Sequence, residues 1–330
     1  MYNSRQKLAF LAAYSPIDIL LPNFTQVAVQ AALQRLSIPI PANWCYQWFS
    51  LLFQATGGNF LVAMIQEIRV RVNGIVLHQY SGPQLNAINQ YYQYPTGQAA
   101  AGVATDVNMI IPFSRQNMRG AAQWVDFEKK EFGQASIPDV EWETLLNAGQ
   151  PDPQTGVAIT QIILEIDLVN TNGAGITAIA NTNQAKVLPA SPGGPGALMF
   201  WNRTTFNAVN GLNQLQGGNG LLYGDLNHAY LDSLFLFPPA GALNNFQFWL
   251  NSQEILQRTV GQNFFFESLY GVRTPQAVAG GNMVAIDFCE TGFGDGIKYI
   301  APQATNARLQ FTNSAAEGIQ IVQKSIGYLG

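Results

Sequence analysis

Short runs of β-branched and aromatic residues, each fenced by Gly, Pro or Asn, leave this chain little alternative to β-structure. The clearest of them form a hairpin. Residues Ile65–Val72 and Ile75–Tyr80 flank Asn73-Gly74, a pair that supplies the positive φ angles of a type I′ turn. Further strands are expected over residues 31–40, 44–53, 107–113 and 159–169, then 231–237, 245–250, 283–288, 307–312 and 318–324. Helical periodicity is scarce. One helix is expected over residues 83–92, with Pro83 in the first turn and Leu85, Ile88, Tyr91 and Tyr92 at helical spacing. Many short strands with one brief helix indicate an all-β sandwich and not a βαβ fold.

A length of 330 residues suits two domains of ordinary size. Residues 173–196 carry Gly173-Ala174-Gly175 and then Pro189-Ala190-Ser191-Pro192-Gly193-Gly194-Pro195-Gly196, a composition that behaves as a connector. The expected division is an N-terminal arm (1–24), a first domain (25–172), the connector (173–196) and a second domain (197–330). The halves resemble each other. Asn73 matches Asn251 and Gln79 matches Gln257 at an offset of 178, while Gly82 matches Gly261 and Tyr91 matches Tyr270 at 179. Ile110-Ile111-Pro112-Phe113 matches Ala285-Ile286-Asp287-Phe288 at 175. Strand, turn, strand, glycine, short helix and a strand ending in Phe recur in that order, so a duplicated β-sandwich is expected.

Composition then narrows the function. Charged residues make up 11% of the chain, against about 25% in typical soluble domains. Polarity comes from amides instead, 27 Asn and 30 Gln. A net charge of −4 argues against direct binding of nucleic acid, which needs a positive surface. The aromatic run Phe264-Phe265-Phe266 has only Arg258 and Arg273 nearby, too few cations for a single-strand stacking groove. Cys45 and Cys289 sit in no Cys-x-x-Cys or Cys/His arrangement and read as reduced thiols.

Enzyme signatures are missing: there is no nucleophile elbow, Walker loop, His-Glu-x-x-His or Cys-x-x-Cys. The two histidines, His78 and His228, have no evident partner in the sequence and read as surface or packed side chains. Carboxylates cluster at Glu128 and Glu131, and at Asp139, Glu141 and Glu143. Alternation along Glu141-Trp142-Glu143 would place both acids on one strand face, and Trp142 would serve as a sugar platform, the alternative being a two-domain β-sandwich carbohydrate-binding or glycoside-hydrolase protein. A charged strand edge that deters wrong pairing explains the same residues. Asp295, in the loop 291–296, is a single carboxylate where calcium needs six or more oxygens, so metal stays unassigned and no cofactor is expected. At the N-terminus Arg5 and Lys7 precede the apolar run 8–14, but Ser15, Pro16 and Asp18 replace a cleavage site. An arm packing on the body or touching a membrane or a neighbouring subunit is expected there.

The unit from Ile65 through Asn73-Gly74 and Tyr80-Ser81-Gly82 into Gln84–Tyr91, followed by Ile111-Pro112-Phe113 and the strand 162–168, resembles a known family. Ala285-Ile286-Asp287-Phe288 and the terminal Ile319-Gln320-Ile321-Val322 occupy the expected places in the second half. Over about residues 25–330 the chain is similar to double jelly-roll major capsid proteins of tailless, membrane-containing icosahedral viruses, an adenovirus-related lineage. Within it, the similarity is to bacteriophage coat proteins of the corticovirus, tectivirus and finnlakevirus kind. The resemblance implies two tandem eight-stranded jelly rolls and homotrimeric, pseudo-hexagonal capsomers in a shell over an internal membrane. The implied partners are further copies of the chain, vertex and minor capsid proteins, and lipid. The implied location is the virion, after synthesis in the host cytoplasm. On this reading Arg5, Lys7, Leu8 and Phe10 belong to an arm facing the particle interior, and residues 93–105 and 211–224 are candidate tower or contact loops.

Overall fold

The computed structural model describes residues 17–20, 33–40, 44–94, 106–113, 146–147, 160–171, 173–186, 198–216, 230–250, 252–269, 277–278, 281–288 and 307–327. Contacts divide the chain into two compact units. The first runs to Met199 without Gln90–Gln93, and the second comprises Gln90–Gln93 and the chain from Phe200 onward.

In chain order the first elements are β1 (Ile17–Leu20), β2 (Gln34–Ile40), β3 (Trp44–Thr56), β4 (Ile65–Val72) and β5 (Ile75–Tyr80). Helix α1 (Gly82–Tyr91) follows, then β6 (Asp106–Pro112), a two-residue β7 (Leu146–Asn147), β8 (Ile162–Leu168) and β9 (Gly175–Lys186). Omitting β7, which pairs only with β3, eight strands form two sheets, in the orders β1-β9-β3-β6 and β2-β8-β4-β5. Numbered by position along the unit, these are a 1-8-3-6 sheet and a 2-7-4-5 sheet. That interleaving is the jelly roll.

The later elements are β10 (Leu198–Ala208), β11 (Gly211–Gln216), β12 (Tyr230–Phe237), β13 (Leu243–Leu250), β14 (Gln253–Thr259) and helix α2 (Val260–Leu269). After them come β15 (Ala277–Val278) and β16 (Gly281–Asn282), paired with each other, then β17 (Val284–Asp287), β18 (Arg308–Asn313) and β19 (Glu317–Gly327). Their sheets run β10-β19-β12-β17 and β11-β18-β13-β14, again 1-8-3-6 and 2-7-4-5. The protein is all-β, with two jelly rolls in tandem.

Period-two patterning explains each sandwich. Along β18 the exposure alternates, with Leu309, Phe311 and Asn313 inward and Arg308, Gln310 and Thr312 outward. The inward residues of the second unit meet Leu215, Leu234, Phe246, Phe248, Ile286 and Ile321 in one core. In the first unit the interior carries Phe53 stacked on Phe60 at 4.7 Å, and Phe49 edge-on to Phe113 at 4.6 Å.

The duplication extends to irregular features. Each fourth-to-fifth strand hairpin carries a β-bulge, at Val70/Arg71 and at Phe248/Trp249, offset by 178. The first turn has Asn73 at φ 50° and Gly74 at φ 84°, the expected type I′ signs, and Ser252 of the second turn has φ 67°. Both helices then open on a capping box. Ser81 N donates to Gln84 Oε1 at 2.8 Å and Gln84 N to Ser81 Oγ at 3.4 Å. Thr259 N donates to Gln262 Oε1 at 2.9 Å and Gln262 N to Thr259 Oγ1 at 3.1 Å, again offset by 178. An asparagine of each helix then holds the sixth strand. Asn89 exchanges two hydrogen bonds with the backbone of Ile110, and Asn263 donates to Ala285 O at 2.7 Å.

Two expectations are corrected. Residues 175–186 are not connector but the long strand β9, central in its sheet between β1 and β3. The Gly and Asn there lie in a segment whose alternate residues Ile176, Ala178 and Ala180 are buried, and burial overrides their weak strand propensity. Residues 211–216, read as loop, are strand β11, built on Leu215 facing the core and on Asn213, whose side chain bonds Val209 and Gly211.

Candidate functional site

For a chain without a catalytic motif, the functional surfaces are those it offers to other molecules. The structure places His78 deep in the first unit, with no exposure. Its Nδ1 lies 2.7 Å from Tyr80 Oη and its Nε2 lies 3.0 Å from Met199 O. The carbonyl requires Nε2–H to donate, so Nδ1 accepts from the phenol. Burial holds the imidazole neutral, its pKa pushed down to about 3 against the pull of the Met199 carbonyl, and burial also raises the Tyr80 phenol. His78 is a packing residue and not a base poised near neutrality.

Glu128, Glu131, Asp139, Glu141, Trp142, Glu143, His228, Asp295 and Cys289, and the arm residues Arg5, Lys7, Leu8 and Phe10, lie outside the described residues. Cys45 falls on β3. Among the described residues no three His, Cys, Asp or Glu side chains converge on a metal position, and no helix is long and apolar enough to cross a membrane.

The features that sequence reasoning missed are on the outward faces. In the first unit, the outer face of the 2-7-4-5 sheet is an ion network. Register aligns Arg35, Asp167 and Glu67 in one row, and Ser37, Glu165, Arg69 and Gln79 in the next. Arg35 grips Asp167 with two bonds of 2.6 and 2.8 Å. Arg69 reaches Asp167 at 2.6 Å and Glu67 at 3.0 Å, and Arg71 reaches Glu165 at 2.9 Å. The Arg35 hydrogen bonds, with the added charge of Arg69, hold the Asp167 carboxyl below the usual range.

The second unit presents the same rows without those charges. Leu212, Thr312, Asn245 and Thr259 stand in register, followed by Gln214, Gln310, Gln247 and Gln257. Gln310 Nε2 donates to Gln214 Oε1 at 2.9 Å, and Thr312 to Asn245. Below them Arg308 lies over the Trp249 ring at 4.6 Å. Four glutamines across four strands form a neutral, hydrogen-bonding surface.

The second unit carries a buried ion pair on the outward side of its 1-8-3-6 sheet. Lys324 Nζ sits 3.1 Å from Asp232, both side chains at 4% exposure or less. It also stands 4.9 Å from the Tyr92 ring and 5.6 Å from that of Trp201, so two aromatic faces share the cation. Tyr91 Oη donates towards Glu267 at 3.3 Å and Asp287 at 3.4 Å, and Ser233 Oγ to Asp232 at 2.6 Å. Beside this buried cluster α2 shows the solvent Phe265 and Leu269, 62% and 61% exposed. No sequence signal separates these from core aromatics, because exposure is set by what packs on the helix.

The family model described as viral coat protein P2, N-terminal domain, matches residues 19–183. No curated protein sequence matches the chain. Among solved structures, the major capsid protein P2 from Bacteriophage PM2 is similar over 95% of this chain and 98% of that one, at TM-score 0.69 and 16% identity. A chain of Sulfolobus Turreted Icosahedral Virus matches over 95% and 91%, at TM-score 0.63 and 11% identity. A chain of the PBCV-1 virus capsid matches over 94% and 93%, at TM-score 0.53 and 10% identity. At such identities the structural likeness speaks for the fold, and the match to residues 19–183 for the family.

Proposed function

The chain belongs to the viral coat protein P2 N-terminal domain family, and from that premise we propose how it serves as a viral major capsid protein. It is a structural protein of the virion and not an enzyme, so the reading of Glu141, Trp142 and Glu143 as a glycosidase site is set aside. Its work is self-association: three copies form a pseudo-hexagonal capsomer from six jelly rolls, and capsomers tile an icosahedral shell over an internal membrane. The observation that carries this is the duplication, two eight-stranded jelly rolls of identical strand order in one chain. Three such chains supply six like walls. Neutral, amide-bearing surfaces such as the Gln214–Gln257 row suit assembly, because copies meet without like-charge repulsion and exchange hydrogen bonds.

The arm carrying Arg5, Lys7, Leu8 and Phe10 faces the particle interior, its cations at lipid headgroups and its apolar side chains at the boundary below them. Vertex and minor capsid proteins complete the shell, and no direct contact with the genome is expected of a chain with net charge −4. Sedimentation equilibrium tests the assembly: the expected mass is three times the 36.0 kDa chain, and a mass of one chain persisting at high concentration contradicts it. Electron microscopy of the same sample should show hexagonal particles. Deleting residues 1–13 should leave the trimer intact and abolish flotation with anionic vesicles; unchanged flotation removes the arm from the proposal.

A further inference from the structure

The ion pairs on the first unit's outer face all use arginine, whose guanidinium keeps its charge and does not act as a nucleophile. The buried pair of the second unit uses lysine, which becomes a nucleophile once it gives up a proton. A β-bulge makes this pair. The register between β12 and β19 shifts between Leu231 and Ser233, so Asp232 is the extra residue, while Ser233 stands opposite Lys324. The bulge brings both Asp232 and Ser233 to the same lysine. Lys324 Nζ lies 3.1 Å from Asp232 Oδ1, the atom next to the carboxyl carbon, and both side chains are buried. Around them stand Phe235, Trp201 stacked on it at 5.8 Å, and Tyr92, all of the same unit. Ser233 Oγ donates to that same Oδ1 at 2.6 Å, and Tyr92 Oη lies 3.3 Å from Ser233 Oγ.

We infer that Lys324 and Asp232 condense into an intramolecular amide bond, a covalent clamp between strands β12 and β19. The freshly folded chain holds the ion pair, and the bond follows. The Lys324 ammonium first passes a proton to the Asp232 carboxylate, which removes both charges from surroundings that solvate neither well. The amine lone pair then attacks Cγ and forms the N–C bond. The carbonyl electron pair moves onto Oδ1, where the Ser233 hydroxyl holds the oxyanion. The surplus proton on nitrogen moves to the other carboxyl oxygen, the C–O bond breaks, and one water leaves. Carboxylic acid and amine thus become amide and water, with no oxidant, cofactor or activating group. Two features drive a condensation that bulk water opposes. The fold holds nucleophile and carbon together at high effective concentration, and burial excludes the water that would reverse the step. β12 and β19 are hydrogen-bonded neighbours in one sheet, so the bond fastens the two strands against separation. Every participating residue belongs to one unit of one chain, and the bond therefore forms whether or not copies assemble.

Mass spectrometry of the denatured full chain tests this, on purification and through prolonged warm incubation. The expected mass falls short of the sequence mass by one water, in a fraction that grows with time. Tandem spectra of a protease digest should join the segment containing Asp232 to the segment containing Lys324. Lys324→Arg should keep its full mass, because a guanidinium does not condense with the acid. Asp232→Asn should still close the bond but lose ammonia in place of water, an outcome that a purely electrostatic pair does not give. Ser233→Ala should slow closure by about a hundredfold, and an unchanged rate removes Ser233 from the step. Near-UV circular dichroism establishes that each variant is folded. If Lys324→Arg is not, the peptide map of the wild-type chain and the mass of Asp232→Asn decide. A full sequence mass that persists in the folded wild-type chain overturns the clamp. So does a water loss that maps elsewhere or survives in folded Lys324→Arg.

Discussion

The outer faces of the two 2-7-4-5 sheets share one backbone plan and have opposite chemistry. Positions Arg35, Glu67, Arg69, Arg71, Glu165 and Asp167 of the first unit correspond in register to Leu212, Asn245, Gln247, Trp249, Gln310 and Thr312 of the second. All six charges are replaced. The first face satisfies itself through ion pairs between neighbouring strands, whereas the second leaves amide donors and acceptors facing outward. Backbone hydrogen bonding and inward packing decide the jelly roll, so outward positions are free to diverge. The second unit also holds the buried Lys324–Asp232 pair, away from water.

The strongest way to break this contrast is to remove the buried cation. Lys324→Met leaves Asp232 in the interior without its partner and should cost about 3–5 kcal/mol, read as a shift in urea midpoint. Adding Asp232→Leu should recover most of it, and failure to recover would mean the pair is held by more than its charge.

Acid should strike the first unit next. The unfolded His78 takes a proton near pH 6.5 whereas the folded one resists until about 3. Its contribution is therefore full above pH 6.5 and declines as pH falls below it, by up to about 1.4 kcal/mol per pH unit and roughly 3 kcal/mol by pH 4. Asp167, whose carboxyl is held low by Arg35, adds a loss of the same sign below about pH 4. Denaturant melts at stepped pH should show this slope, and His78→Gln should flatten it between pH 4 and 6.5.

A helix-start comparison comes third. A Cβ on Gly82 would press into the Val62 carbonyl and lie 2.7 Å from Ile65 Cβ, whereas one on Gly261 meets nothing within 4 Å. Gly82→Ala should cost about 1–3 kcal/mol, and Gly261→Ala should be neutral or gain up to about 1 kcal/mol from helix propensity. Equal thermal shifts would contradict the packing difference. The smallest effects sharpen the contrast of the faces: Arg69→Gln should cost about 1–2 kcal/mol in low salt and less in high salt. Gln247→Ala, at the equivalent position, should change stability by under about 0.5 kcal/mol and show no salt dependence.

Much of the architecture was legible. The Asn73-Gly74 turn, the hairpin around it and the 178-residue offset to Asn251 are local signals, because a turn needs particular φ angles wherever it lies. The capping boxes at Ser81 and Thr259 were equally readable, as Ser-x-x-Gln and Thr-x-x-Gln, and would have carried the offset of 178 onward past the glycines. Strand β9 was illegible for the opposite reason. Its Gly and Asn weaken strand propensity, and only its place between β1 and β3 makes it a strand. The neutral row Gln214, Gln310, Gln247 and Gln257 comes from four separated segments, and no reading along the chain aligns them.

What the sequence by itself determined is periodicity and duplication: alternating strands, turn residues, a repeated order of elements, and a shortage of charge offset by amides. These depend on neighbours within a few residues or on direct comparison of two stretches. Only the tertiary structure decided which charges pair, which row is neutral, and that α1 is buried where α2 is exposed. The physical reason is that burial and pairing belong to residues brought together from distant segments. Tyr91 and Phe265 are both aromatic residues in short helices, and what lies against each of them leaves the first buried and the second exposed.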